Sequence, residues 1–489
     1  MTTPVAERAE GLGSRSAVMF AAGAVDRALG FLLIVLITRW WSPTEVGFWT
    51  QSVAFTGALA TIASMGLYQA HIRFAEESAE TRIRHSLQLT ILSVTTGGLL
   101  IAAIVAAAIP GPFSRTVFGV DTETRLLAAV FALAMSELWA EFVIVQLRAE
   151  IDARGAALVM GGKAVLRVLL VGAFALTGHD DVSKAVLALA VVQWLAATAV
   201  ILMRFGGRHW IAAGLAPSRG LFGRALRMAL PMIPAAVAAQ AYVTIERFSL
   251  ARLQPSSIAH FSIGQQFASN ATMAYVILGS MFYPMLVRAW RDGKAGAVSL
   301  MVSDILVMYA VVSVPAIVVL PLVSRELIPL LTTQYYQVSA SSFLALTIGA
   351  AGLGVHQLAG AVFYVRERTW ELLALFVVGF LAKLLCAATL ISAFGERGAV
   401  FTSAIGGIVL AGATLVRARR LIPFDFQLRR IWRIAAASLA AAAPVAAVRF
   451  WSDDASSLLI LSVAALGLAS YALMVRAELR RLAHPNPRG

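Results

Sequence analysis

Apolar runs of about 20 residues, the length an α-helix needs to cross a bilayer, recur along the whole chain between short segments rich in charge, Pro or Gly. Fourteen are legible, at roughly 16–37, 46–70, 86–109, 126–147, 157–177, 185–203, 228–250, 260–285, 300–320, 339–364, 371–393, 398–416, 434–448 and 457–475. Inside hydrocarbon each backbone N–H and C=O must find its partner within the segment, so such runs fold as helices. The expected fold is therefore an all-α polytopic membrane protein. The composition agrees: 59% of residues are hydrophobic and 13% charged, against about 45–50% and about 25% in soluble domains. A soluble enzyme and a disordered chain are excluded. The first run, Ser16–Ile37, is too long for a signal-peptide core and is expected to remain as the first span.

Basic residues orient the spans. With the N-terminus inside, the loops on that side carry 27 of the 40 Lys and Arg residues. The alternate loops carry eight: Arg39, Arg115, Arg125, Lys184, Arg252, Arg325, Arg397 and Arg449. The other five lie within spans. This bias places both termini in the cytoplasm and requires an even number of spans. The net charge of +14 then marks cytoplasmic loops and a preference for anionic lipid or an anionic substrate, not nucleic acid. A single cysteine, Cys386, excludes a disulfide framework and a Cys-based metal cage. No metal or cofactor is expected. No phosphate-cradling Walker pattern is present, so ATP hydrolysis by this chain is not expected.

The segment after the first span, Trp41-Ser42-Pro43-Thr44-Glu45-Val46-Gly47-Phe48-Trp49-Thr50, is echoed after the seventh by Leu253-Gln254-Pro255-Ser256-Ser257-Ile258-Ala259-His260-Phe261-Ser262. Pro, an aliphatic, a small residue, an aromatic and a hydroxyl recur at one constant offset. Pro stops one helix and a small residue opens the next. Such a repeat fits transporter folds built from two related halves. The expected organisation is an N-terminal lobe, 1–210, with spans 1–6; a C-terminal lobe, 211–425, with spans 7–12; and spans 13–14 with a cytoplasmic tail, 426–489.

These turns resemble those of the polysaccharide transporters, the Wzx-type flippases of the multidrug/oligosaccharidyl-lipid/polysaccharide exporter superfamily. The first-span turn stands here as Arg39 to Pro43, Gly47 and Phe48. It is followed by Gly66-Leu67 and Arg73, and the seventh span runs from Leu230-Pro231 and Ile233-Pro234 to Glu246-Arg247. His260-Phe261-Ser262 stands for the family's Tyr-Ser turn. Where the family commonly carries Asp before Arg in span seven, this chain has Glu246, which keeps the charge. The resemblance implies a protein that is not an enzyme but moves undecaprenyl-diphosphate-linked oligosaccharide across the plasma membrane. Its partners would be that lipid-linked diphosphate, membrane lipid, and polysaccharide polymerase or chain-length proteins.

Nine charged residues lie inside spans, away from their cytoplasmic ends: Asp26 and Arg27, Glu137 and Glu141, Lys163 and Arg167, Glu246 and Arg247, and Lys383. Each costs about 2.5–3.5 kcal/mol at mid-span on insertion scales, so each is retained for pairing or for function. Arg27, Arg247, Lys383, Lys163 and Arg167 are the candidate contacts for a diphosphate, which a guanidinium binds through two oxygens at once. Asp26, Glu137, Glu141 and Glu246 are candidates for charge pairing or ion coupling. Arg247, near a span end, has a second reading, in which its head snorkels to the interface. Spans 4 and 5 form a hairpin about Asp152, and equal distance from that turn pairs Glu141 with Lys163 and Glu137 with Arg167. His356 reads as a hydrogen-bonded residue between helices. Gly97-Gly98, Gly161-Gly162 and Gly406-Gly407 read as close-packing sites.

Two other functions compete. A cation-coupled drug or solute antiporter of the same superfamily would use a carboxylate such as Asp26. A polysaccharide polymerase or ligase would carry a large outer loop with catalytic Arg or His, and the outer loops here are short. A purely structural scaffold leaves the nine in-span charges unexplained. Reporter fusions within 71–85, 204–227 and 417–433 are expected to report the cytoplasmic side, and an outside signal at any one of them would refute the fourteen-span order.

Overall fold

A computed structural model describes residues 4–64, 67–68, 81–150, 152–177, 181–204, 219–230, 232–252, 255–451 and 456–483. Gly66, Arg73 and Pro231 lie outside the described residues. The described residues form helices joined by short turns, with no strand among them. The chain divides into two compact units, Met1–Ala259 and His260–Gly489. This division reflects contacts, whereas the expected boundary after residue 210 reflects sequence relatedness, and the one does not test the other.

In the first unit, α1 (Pro4–Trp40) and α2 (Pro43–Ser64) are followed by α3 (Thr81–Ala108), α4 (Pro110–Phe118), α5 (Thr124–Ala149), α6 (Ala153–Leu176) and α7 (Val182–Arg204). Then come α8 (Arg219–Ala229) and α9 (Met232–Ala251). Helix α10 (Pro255–Ala271) begins at the unit boundary. The two prolines of the sequence echo, Pro43 and Pro255, each stand at the start of a helix. There a missing N–H costs nothing and the fixed φ is already helical. At α2 a capping box completes the start: the Ser42 amide donates to Glu45 Oε2 at 2.7 Å, and the Glu45 amide donates to Ser42 Oγ at 3.4 Å.

Helix α1 packs along α6, α5 along α7, and α9 against α2 and α4. Gly119, in the left-handed region at φ 79°, ends α4; a Cβ there would lie 1.3 Å from the Ala251 carbonyl oxygen at the end of α9. Only glycine fits both the backbone angle and the approach. Arg115 and Asp121 fold this corner with a 2.7 Å ion pair, and hydrogen bonds from the guanidinium hold the Asp121 carboxyl below its ordinary range.

The second unit continues with α11 (Ala274–Arg291), α12 (Ala295–Leu331), α13 (Ala340–Val365), α14 (Thr369–Phe394), α15 (Glu396–Leu421), α16 (Leu428–Trp451) and α17 (Ser457–Ala483). Helix α12 runs on past the expected span end at residue 320. Its 37 residues contain Pro315, Pro321 and Pro329, and at 1.5 Å per residue it measures about 55 Å. Ser324 Oγ lies 3.0 Å from the Pro321 carbonyl and 3.2 Å from that of Val338, tying α12 to the turn before α13. Helices α16 and α17 pack on α12 through Val307, Val319, Ala441, Val445, Ile460 and Tyr471.

Helices α13 and α15 pack backbone against backbone. A Cβ on Gly352 would lie 2.4 Å from the Gly407 carbonyl oxygen, and one on Gly349 would lie 2.6 Å from that of Ser403. Gly406-Gly407 therefore act as the sequence suggests. Gly97, Gly161 and Gly162 do not, because a Cβ at any of them meets nothing within 4 Å. Next to this interface α14 widens into a π turn at Ala387–Ile391, against which Gly398 of α15 lies so close that a Cβ would sit 2.0 Å from the Leu390 carbonyl oxygen.

Eleven of the described helices are long and apolar enough to span a bilayer. The other three expected spans, 46–70, 228–250 and 260–285, correspond to more polar or shorter helices. Helix α9 carries Gln240, Thr244, Glu246 and Arg247, and a turn at 272–273 breaks the last expected span into α10 and α11. Replacing Gly352 by Ala forces α13 off α15 and is expected to cost about 1–3 kcal/mol, the usual penalty of overpacking. Gly412→Ala, where nothing lies within 4 Å, is the control. Thermal unfolding in detergent should separate the two variants clearly.

Candidate functional site

In the first unit three mid-span charges, Glu137, Glu141 and Arg167, line a cavity of about 410 Å³ between α2, α5, α6 and α7. Glu137 of α5 accepts from Lys163 Nζ at its Oε2 and from Arg167 Nη2 at its Oε1, both at 2.8 Å. Lys163 and Arg167 stand one turn apart on α6 and so share a face. The Glu137–Arg167 pair agrees with the equal-depth expectation, but the Glu141–Lys163 pair does not form. The Lys163 stem is long enough to reach one turn along the hairpin to Glu137, whose two oxygens serve two cations. Glu141 is left exposed on the cavity wall and makes no ion pair among the described residues.

Hydroxyls face these charges. Thr56, Thr61, Ser64 and Tyr68 line the cavity from the α2 side. Tyr68 donates to the Leu138 carbonyl at 2.9 Å, and Thr61 accepts from Gln240 of α9 at 3.1 Å. The sequence reading missed this hydroxyl face, although four hydroxyls three to five residues apart in an apolar run were a signal of a wet wall.

The other expected residues are dispersed. Asp26 is partly buried and Arg27 is exposed on α1. Neither lines this cavity nor joins an ion pair among the described residues. The two do not pair with each other, as their 100° separation on the helix implies. On α9, Glu246 is fully buried and Arg247 partly so. Lys383 is buried in the second unit, where α14 meets α15, and the bare backbone of Gly406 makes room for its stem; a Cβ there would lie 2.3 Å from Lys383 Cγ. His356 links two helices as expected, its Nδ1 lying 2.7 Å from Thr414 Oγ1.

The ends of the second unit differ in chemistry. At one end Arg368 and Arg417 share Glu371, Arg430 meets Asp304 at 3.3 Å, and Arg366 lies over the Trp290 ring. Three loops expected on one side of the membrane are thereby tied together. At the other end His260 meets Glu396 and the Gln337 carbonyl, and Arg449 meets Glu326 at 2.6 Å.

These features define a multi-pass membrane protein with charged residues embedded in its spans and a polar cavity within one helical unit. The chain belongs to a family described as polysaccharide biosynthesis proteins, whose model matches residues 12–290. Its fold is similar to that of the lipid II flippase MurJ in an inward closed conformation, with TM-score 0.75 and 14% identity over 96% of this chain and 100% of that one. It is also similar to the MATE transporter VcmN of Vibrio cholerae, at TM-score 0.58 and 15% identity over 85% of this chain and 97% of that one. An inward-facing multidrug resistance MATE transporter of the MOP superfamily gives TM-score 0.57 and 17% identity over 83% and 98%. Comparison with curated proteins finds no match.

Glu137→Gln leaves two cations against one neutral amide. It is expected to destabilise the protein by about 3–5 kcal/mol, the cost of stranding buried charge. Glu141→Gln removes no ion pair and should leave the unfolding temperature unchanged. Equal unfolding temperatures for the two variants in nanodiscs would show that the Glu137 cluster carries no stability.

Proposed function

We propose that this protein is a flippase that carries an undecaprenyl-diphosphate-linked oligosaccharide across the plasma membrane, with both termini in the cytoplasm. Transport would proceed by alternating access of two six-span halves. The observation that carries this reading is coverage. The flippase fold accounts for 96% of the chain, the two MATE folds for 83–85%. The difference, about a ninth of the chain, is close to the combined length of α16 and α17. Membership of a polysaccharide biosynthesis family supports the same substrate class.

In this mechanism the sugar and diphosphate ride in a polar cavity while the polyprenyl chain stays in lipid. Helices α16 and α17 suit that chain: Leu439, Leu458, Leu466 and Leu473 lie exposed on them. Arg27 is the first candidate for the diphosphate grip. It lies at mid-span, exposed, with no ion pair among the described residues. Lys163 and Arg167, which share the single carboxylate of Glu137, are further candidates, as are Arg247 and Lys383. The second reading, a cation-coupled antiporter, is favoured by one observation, the unpaired Glu141 carboxylate on the cavity wall.

Arg27→Ala is expected to abolish polysaccharide export at normal protein level in the membrane fraction. Arg27→Lys should retain partial export, since it keeps the charge but not the two-oxygen fork. Complementation of a flippase-null strain with membrane blotting reads both. Full export by Arg27→Ala would remove Arg27 from the grip.

A further inference from the structure

At the less basic end of the second unit, the His260 ring has an oxygen at each nitrogen. Its Nδ1 is hydrogen-bonded to Glu396 Oε1, and its Nε2 lies 3.0 Å from the Gln337 carbonyl oxygen. A carbonyl only accepts, and so does an ionised carboxylate, while a neutral imidazole has one N–H to give. A neutral ring beside an ionised Glu396 therefore leaves one nitrogen lone pair facing an oxygen lone pair. Both contacts become hydrogen bonds only when the site holds one more proton, on the ring or on the carboxyl. Either atom can keep that proton, since it is shared by the pair.

We infer that His260 and Glu396 form a proton-binding site, and that proton uptake there closes a clasp joining the start of α10, the 332–339 segment and the start of α15. The uptake balances simply. A ring with its single N–H on one nitrogen takes a proton from water at the other, and the new charge rests against the Glu396 carboxylate. Loss of that proton breaks one of the two links and releases either α15 or the 332–339 segment from α10.

The surroundings suit exchange with water. A cavity of about 530 Å³ opens on the pair, lined also by Ser339, Ser342 and Arg397, and the two side chains keep 24% and 33% of their exposure. Helix α10 carries no other charged side chain, and the 332–339 segment carries none. That segment adds the Tyr335 ring, edge-on at 6.4 Å from the imidazole. From α15 come Glu396, which favours the proton, and Arg397, which opposes it. The start of α13 presents only the two serines. The clasp is thus complete at low pH and opens as pH rises through the titration of the pair. In the orientation proposed above this end faces the outer aqueous phase, whose acidity the site would read; the proton site itself does not rest on that orientation.

The test uses the full-length protein in lipid nanodiscs with isotope-labelled histidine. The His260 ring signals, assigned by their loss in His260→Gln, are followed by NMR from about pH 5 to about pH 8.5, a range that brackets the histidine titration. Amide deuterium exchange of 332–339 and of the first turn of α15 is measured in parallel and corrected for the intrinsic effect of pH. The expected result is a titration of the ring signals across the range together with about ten-fold faster exchange of one of the two segments, the scale of one charge-assisted hydrogen bond. Glu396→Gln, which keeps a hydrogen-bonding partner, should flatten both responses. Ring signals that do not respond to pH anywhere in the range overturn the inference, and so does exchange that is unchanged by pH in both segments. Neither readout involves a transported lipid, so failure here is distinct from failure of the flippase reading.

Discussion

Hydrocarbon tolerates neither an unpaired backbone polar group nor an isolated charge, and this intolerance organises the molecule. It turns the apolar runs into helices, and it makes each ionisable side chain within them a local structural problem. The first unit solves the problem once by convergence, with two α6 cations on one α5 carboxylate. The second solves it largely by exclusion. There the ion pairs at Glu371, Asp304 and Glu326 gather toward the ends of the helices, and Lys383 alone of the nine in-span charges lies in that unit. Its place beside Gly406 shows that packing, as well as charge, decides where a cation can be kept.

What was legible in the sequence follows from what is periodic or local. Pro43 and Pro255 mark helix starts because the absence of an N–H and a fixed φ act within a single turn. The hairpin of α5 and α6 was legible because depth in antiparallel helices follows distance from the turn. Its detail was not, since a lysine stem spans a helical turn and a carboxylate has two oxygens, so register alone could not choose between Glu141 and Glu137 for Lys163. Glycine pairs show the same limit. Gly406-Gly407 and Gly161-Gly162 look alike in sequence, yet only the former are closely packed, Gly407 against the Gly349 backbone and Gly406 against the Lys383 stem. Which face of a helix is turned to a neighbour is a tertiary fact.

His260 and Glu396 stand 136 residues apart, and no spacing rule joins them. Their meeting depends on α10, the turn before α13 and the start of α15 ending at one level, which requires the whole second unit. Sequence reasoning placed His260 only as a substitute in a turn motif. The ring's two acceptors, the feature that gives the residue chemical meaning, come from elements that the motif does not contain.

The charge ledger also bears on the two functional readings. Within the first unit the in-span charges number four of each sign, so an anion is not favoured there by count. What matters is which charges are already compensated. Glu137 is held by two cations and cannot repel an approaching phosphate as a bare carboxylate would, whereas Arg27 remains exposed. Glu141 stands on the same wall as Arg167, and it is the carboxylate that a cation-coupled exporter would need. The flippase and antiporter readings thus draw on the same unit of the protein and differ in whether Arg27 or a carboxylate such as Asp26 or Glu141, none of them in an ion pair among the described residues, meets the cargo. A cavity wall that offers a hydroxyl face from α2 and a carboxylate shared between two cations is compatible with a polar, hydroxyl-rich head group. A lipophilic drug would gain little from either.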